Sequence, residues 1–119
     1  MLFIAGATGF VGSHLLKALQ KDAVEARCLV RTEEKARVVR ALGFDAVTGD
    51  ITNRESLKGK LKGIELVVHL VGIIQESSGI TFNRVHVEGT ENLINEALSA
   101  GVKNFFYQSA LGADLNSPF

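Results

Sequence analysis

Apolar and polar positions change period several times along the chain. Leu2–Ala5 is an apolar run cut off by Gly6, after which Val11, Leu15, Leu16 and Leu19 recur at helical spacing. Ala26–Val30 reads as a second strand, residues 33–42 as a second helix stopped by Gly43, and Asp45–Thr48 as a short third strand. Thr52 and Glu55 have the spacing of a capping box, which predicts a third helix from Asn53 with Leu57 and Leu61 inward and Gly63 at its end. Residues 65–71 are almost continuously apolar, as a strand covered on both faces would be. Phe82, Val85, Gly89, Leu93 and Ala97 then mark one stripe of a long helix closed by Gly101. Residues 104–109 form the fifth strand, in which Phe105 and Phe106 point to opposite faces and both suit the core of a larger fold.

Strands alternating with helices of this length pair in parallel through right-handed crossovers. The pattern predicts an α/β Rossmann-type, doubly wound sheet of order 3-2-1-4-5, occupying residues 1–119 as one domain. In this topology the first two helices cover one sheet face and the next two the other. The first face over strands four and five is then left uncovered, and strand five is left as an edge. Apolar surface beside an open edge predicts self-association.

Composition narrows the function classes. Hydrophobic residues make up 46% of the 119, enough for a folded core. Thirteen Lys and Arg balance thirteen Asp and Glu, so no charge excess points to nucleic acid or an anionic membrane. The apolar stretch 64–74 contains Glu65 and His69 and is too short to span a bilayer. No segment at the start reads as a secretory signal, because the glycine-rich turn begins at residue 6. The single cysteine, Cys28, cannot form an internal disulfide and lies in a buried strand; it reads as a small apolar residue in a cytoplasmic, reducing setting. His14 reads as a surface or packing histidine and His69 as a core residue with satisfied nitrogens. No cysteine or carboxylate pair stands at ligand spacing from any histidine, and no metal is predicted.

The chemistry concentrates in Gly6-Ala7-Thr8-Gly9-Phe10-Val11-Gly12, between the first strand and the first helix. The spacing G-x-x-G-x-x-G is a variant of the dinucleotide fingerprint G-x-G-x-x-G. One glycine permits the tight turn, a second lets backbone N–H groups approach a pyrophosphate, and Gly12 lets the helix lie close on the sheet. The helix start supplies unsatisfied donors and partial positive charge to the anion. A glycine turn without ligand is the plainer reading; its place after the first strand of a βαβ unit favours the binding one. At the end of strand two, where an NAD site usually carries an acid, the sequence has Val30-Arg31-Thr32. The forked guanidinium of Arg31 suits a 2′-phosphate, and Lys35 adds a second charge, so the reading favours NADP, with NAD as second choice.

The glycine segment resembles that of the extended and atypical short-chain dehydrogenase/reductases, a group that includes epimerases and dehydratases. Within it the match is to the subgroup like the nucleotide-binding accessory subunit of respiratory complex I. The resemblance runs along the whole chain. It assigns Gly6, Thr8, Gly9, Phe10, Val11 and Gly12 to the cofactor, and Asp50 and Ile51 of Gly49-Asp50-Ile51 to the adenine. Leu70, Val71 and Gly72 after strand four fall on the nicotinamide side. Residues 85–93, Val-His-Val-Glu-Gly-Thr-Glu-Asn-Leu, are similar to the family's Asn-Val-x-Gly-Thr-x-Asn-Leu helix, with His86 where an asparagine is usual. Ser109 matches a catalytic serine that works in the family with a Tyr-x-x-x-Lys pair. No such pair occurs here; Tyr107 is followed four residues on by Leu111. The resemblance therefore implies the N-terminal part of a longer protein, lacking later strands and the substrate domain, that binds nucleotide without turnover. Two functions follow: an oxidoreductase or epimerase-like domain using NADP in redox chemistry, or a non-catalytic structural or redox-sensing module. A Tyr-x-x-x-Lys beyond residue 119 would separate them. A relic of the fold that binds nothing is the third reading.

Overall fold

A computed structural model describes residues 1–71 and 87–108 of the chain. In chain order these form β1 (Leu2–Ala5), α1 (Phe10–Lys21), β2 (Ala26–Val30), α2 (Glu33–Ala41), β3 (Asp45–Thr48), a 3-10 turn (Arg54–Leu57), β4 (Leu66–His69), α3 (Thr90–Ser99) and β5 (Asn104–Tyr107). The five strands make one parallel sheet in the order β3-β2-β1-β4-β5, the order expected from the sequence. The chain moves outward from β1 to β3 on one side and from β4 to β5 on the other. That reversal opens a crevice outside the C-terminal ends of β1 and β4.

Alternation along each strand divides the core in two. Ile4, Cys28, Val30 and Val68 face Leu16 of α1 and Ala36 and Val39 of α2. Phe3, Ala5, Leu29 and Val67 face Leu57, Leu61, Leu93 and Ala97 on the other side. Burial on both faces is why the strands read as unbroken apolar runs rather than alternating ones. The charge inside β2 is handled by geometry. Arg27 Nε donates to Asp45 Oδ2 at 2.8 Å, and an Nη of the same guanidinium donates to the carbonyls of Lys60 and Lys62 at 2.9 Å each. The planar fork thus joins β2 to β3 and to the segment that follows. No helix among the described residues is long and apolar enough to cross a membrane.

The third connection differs from expectation. No capping box forms: the Thr52 hydroxyl donates to Asp50 Oδ1 at 2.8 Å, and Asn53, at the cap position, makes no side-chain cap bond. The carboxylate two residues upstream competes for the threonine through an Asx-type turn. Gly59 and Gly63 then take φ of +73° and +79°, so an α-helix does not propagate beyond the 3-10 turn. Leu57 and Leu61 are nonetheless completely buried. Their spacing identified what goes inside even though the backbone between them is irregular. The last strands are shorter than expected, β4 ending at His69 and β5 at Tyr107. In α3 Leu93 and Ala97 are buried as their stripe requires, and Gly101, at φ +78°, follows its end. The stripe positions Phe82 and Val85 lie outside the described residues. On β5, Phe105 is half-buried against the α3 layer, whereas Phe106 on the opposite face is 54% exposed.

Cys28 has no solvent exposure, and burial pushes its thiol up from 9.0 to about 12, with the negative charge of Asp45 adding to the effect. Native Cys28 is expected to resist iodoacetamide and to react fully in denaturant; equal labelling in both states would contradict the burial. The folded thiol keeps its proton where the unfolded one has lost it. Its contribution to stability is therefore complete below pH 9.0 and declines as pH rises toward about 12. Urea midpoints across that window should fall less steeply in Cys28→Ala than in the parent chain.

Candidate functional site

β1 delivers the glycine turn to the middle of the C-terminal sheet edge. Gly6 has φ +95°, a conformation L side chains rarely adopt. A Cβ there would lie 2.8 Å from the carbonyl carbon of Leu70 and 2.9 Å from the Val71 nitrogen. The peptide leaving β4 is thus the floor on which the turn rests. The Gly9 N–H closes the turn onto Gly6 O at 3.2 Å. Gly12 is the tightest position: a Cβ would sit 2.2 Å from Gly6 O and 2.6 Å from Ala7 Cα. The sequence reading put the role of Gly12 in helix-to-sheet contact. The structure corrects this, because the atoms that exclude a side chain belong to the turn itself.

The start of α1 is electrostatically open. Its cap residue, Gly9, has no side chain to accept a bond, and no acidic residue lies in the first turn. The first-turn N–H groups of Phe10, Val11 and Gly12 have no helical carbonyl behind them. The start of α2 contrasts with it. Thr32 accepts from the Lys35 N–H at 3.2 Å, and Glu33 and Glu34 occupy its first turn. Partial positive charge is therefore neutralised at α2 and left available at α1.

The other predicted residues surround this turn. Arg31 follows β2 directly, and both it and Lys35 are exposed. Among the described residues no ion pair holds either cation, and Glu33 is engaged by Arg40 Nη1 at 2.6 Å. Asp50 and Ile51 follow β3. The Asp50 carboxylate accepts from the backbone and hydroxyl of Thr52 at 2.9 and 2.8 Å, and the buried Ile51 presents its carbonyl to Asn92 Nδ2 of α3 at 2.8 Å. Leu70 and Val71 follow β4. Gly6, Arg31, Asp50 and Leu70 thus stand just past the C-terminal ends of four neighbouring parallel strands, on one rim. Thr8, Phe10 and Val11 are exposed beside them. Gly72, His86 and Ser109 lie outside the described residues. His14 is exposed and packs edge-on against Phe10. Among the described residues no group of three or more His, Cys, Asp or Glu is arranged to hold a metal ion.

Behind the rim, His69 is the core histidine with satisfied nitrogens that the sequence indicates, while its partners and the role of Asn92 lie outside that reading. Asn92 ties α3 to the segment after β3. His69, completely buried at the end of β4, bonds through Nε2 to Thr90 Oγ1 at 2.9 Å and accepts at Nδ1 from the Val71 N–H at 3.3 Å. A signal for Asn92 was available, since an amide beside the buried Leu93 on a packed helix needs a partner.

A glycine turn of this form, opening an uncapped helix at the switch point of a parallel sheet, is built to receive a dinucleotide. Residues 6–119 match the model of the NAD(P)H-binding family. The chain belongs to this family. Ceramide reductase of Caulobacter vibrioides is 37% identical over 110 residues, which cover 92% of this chain and 34% of the relative. An NADPH-dependent quinone oxidoreductase of Escherichia coli superposes with a TM-score of 0.73 at 29% identity, over 97% of this chain and 37% of that one. The triphenylmethane reductase of a Citrobacter species, complexed with NADP(H), gives a TM-score of 0.73 at 26% identity, over 92% of this chain and 37% of that one. The chain spans about a third of the length of such relatives. Reductases and epimerases among them bear out the resemblance to the short-chain dehydrogenase and epimerase group. This is an NAD(P)-binding domain.

Gly12→Ala tests the turn. With backbone atoms on the other side of the clash, the variant is expected to lose about 1–3 kcal/mol of stability and to bind dinucleotide at least tenfold more weakly (about 1.4 kcal/mol). An unchanged urea midpoint together with unchanged affinity would show that the turn tolerates a side chain.

Proposed function

We propose that the chain is the cofactor-binding part of an oxidoreductase that uses NADP(H), with NAD(H) as the weaker ligand. The observation that carries the cofactor preference is Arg31: exposed, at the end of β2, with no ion pair among the described residues, beside a helix start whose Glu33 is turned to Arg40. A 2′-phosphate placed there meets the guanidinium and, one turn into α2, Lys35. The pyrophosphate lies against the first-turn N–H groups of α1, with Thr8, Gly9, Phe10, Val11 and Gly12 forming the contact. The adenine lies beside Asp50 and Ile51, and the nicotinamide extends toward Leu70, Val71 and Gly72. His86 and Ser109 are assigned to the nicotinamide and substrate side, Ser109 as a hydrogen-bonding catalytic group. The reductases among the relatives favour hydride chemistry over a purely structural use of the nucleotide. The cytoplasm, where the single thiol stays reduced, is the proposed compartment.

A second copy of the chain is the proposed occupant of the sheet face over β4 and β5. On the α1 side of β1, β4 and β5, Leu66, Val68, Leu70 and Phe106 line an apolar depression bordered by Val11 and Leu15 of α1. Among the described residues only β4 pairs with β5. An identical β5 from a second copy can supply both the missing backbone bonds and the apolar cover.

Calorimetric titration with NADPH and NADH tests the cofactor reading. NADPH is expected to bind at least tenfold more tightly, about 1.4 kcal/mol, and Arg31→Ala is expected to abolish most of that difference. Equal binding would retain the glycine turn and remove the argument from Arg31. Light scattering on a sizing column tests the second proposal: the chain should elute as a dimer, Phe106→Glu should shift it toward monomer, and a monodisperse parent monomer would overturn it.

A further inference from the structure

We infer that His69 is a positioning residue for the dinucleotide site, acting through the backbone of Val71 and without touching the cofactor. β4 ends at His69, so the sheet ladder ends there too. Leu70 still donates to Ala5 O at 2.8 Å, but the next N–H, that of Val71, donates to the His69 ring at Nδ1, 3.3 Å away. The Leu70–Val71 peptide oriented by these two bonds is the one that Gly6 rests on, at distances that leave no room for a Cβ. The imidazole itself is held by contacts from α3 and β5. Nε2 lies 2.9 Å from Thr90 Oγ1 at the first residue of α3, and the ring stacks on Tyr107 of β5 with centroids 4.6 Å apart and planes 20° from parallel. The ring has no solvent exposure.

This arrangement requires one tautomer. An Nδ1 that accepts from a backbone N–H carries no proton, so the proton of the neutral ring is on Nε2 and is donated to Thr90. The ring therefore transmits the positions of α3 and β5 to the peptide beneath the glycine turn. The turn presents N–H groups usefully only if that floor is fixed, because small misplacement of oriented donors costs binding steeply. The inference rests on the reading of the glycine turn as the dinucleotide site.

The test compares NADPH affinity of the unaltered chain with His69→Asn and His69→Leu, together with the nitrogen chemical shifts of His69. Asn places its Oδ1 close to the position of Nδ1 and keeps the acceptor for Val71, although it cannot reach Thr90. Leu keeps bulk and loses both bonds. Asn is expected to bind within about threefold of the unaltered chain and Leu about tenfold more weakly, the latter the size of one hydrogen bond. The shifts should show a proton on Nε2 and none on Nδ1. Leu binding as tightly as the parent, Asn binding no better than Leu, or a proton on Nδ1 would each overturn the inference. If His69→Leu fails to fold, the Asn variant and the tautomer still decide it. A parent chain that binds no NADPH would instead overturn the reading of the turn, and the inference with it.

Discussion

At Gly12 the first turn of α1 runs against the carbonyl oxygen of Gly6 and the Cα of Ala7, and a single added carbon would overlap both. Much of the site depends on that contact. It forces the chain to reverse out of β1 within a few residues, which sets the start of α1 at the C-terminal end of the sheet. Gly6 meets the matching demand from below, through a positive φ and a close approach to the peptide leaving β4. Two glycines thus confine the turn between a helix and a neighbouring strand, where backbone meets backbone with no side chain between.

Charge is arranged around that turn by omission as much as by placement. The start of α1 has neither a capping side chain nor an acid, whereas α2 has Thr32, Glu33 and Glu34. A glycine at the cap of α1 gives up roughly a few tenths of a kcal/mol relative to a capping side chain, and an incoming phosphate oxygen can take up the donors left free. Behind the rim the polar groups are fully engaged. Asn92 holds the Ile51 carbonyl, Ser56 accepts from the Asp50 N–H at 2.9 Å, and His69 joins β4 to α3. Among the described residues no buried side-chain nitrogen or oxygen lacks a partner. The loops that form the rim are therefore braced from the α3 side of the sheet.

Much of this was legible in the sequence because it depends on local periodicity. The strands at 2–5, 26–30 and 45–48 and the helix starting at Glu33 were placed by runs, stops and spacing, and the parallel order followed from connection length. The third connection differs because the Thr52 hydroxyl can either accept from a helix N–H or donate to a carboxylate, and only the fold shows that Asp50 competes for it. The role of Gly12 was displaced for a similar reason. The sequence marks where a side chain is forbidden, but not which atoms forbid it.

The sequence by itself determined the α/β architecture, the sheet order, the two buried faces and the identity of the glycine turn. Each of these follows from residue type and spacing within one or two elements. Tertiary structure decided which groups meet across long sequence separation. His69 meets Thr90, Asn92 meets Ile51, and Gly6 meets the Leu70–Val71 peptide, pairs 21, 41 and more than sixty residues apart. Such contacts depend on the relative placement of packed layers, and a hydrogen bond requires that placement to within a few tenths of an ångström. Periodicity specifies which face of an element is buried, but it does not specify the position along the neighbouring element at which a side chain will arrive.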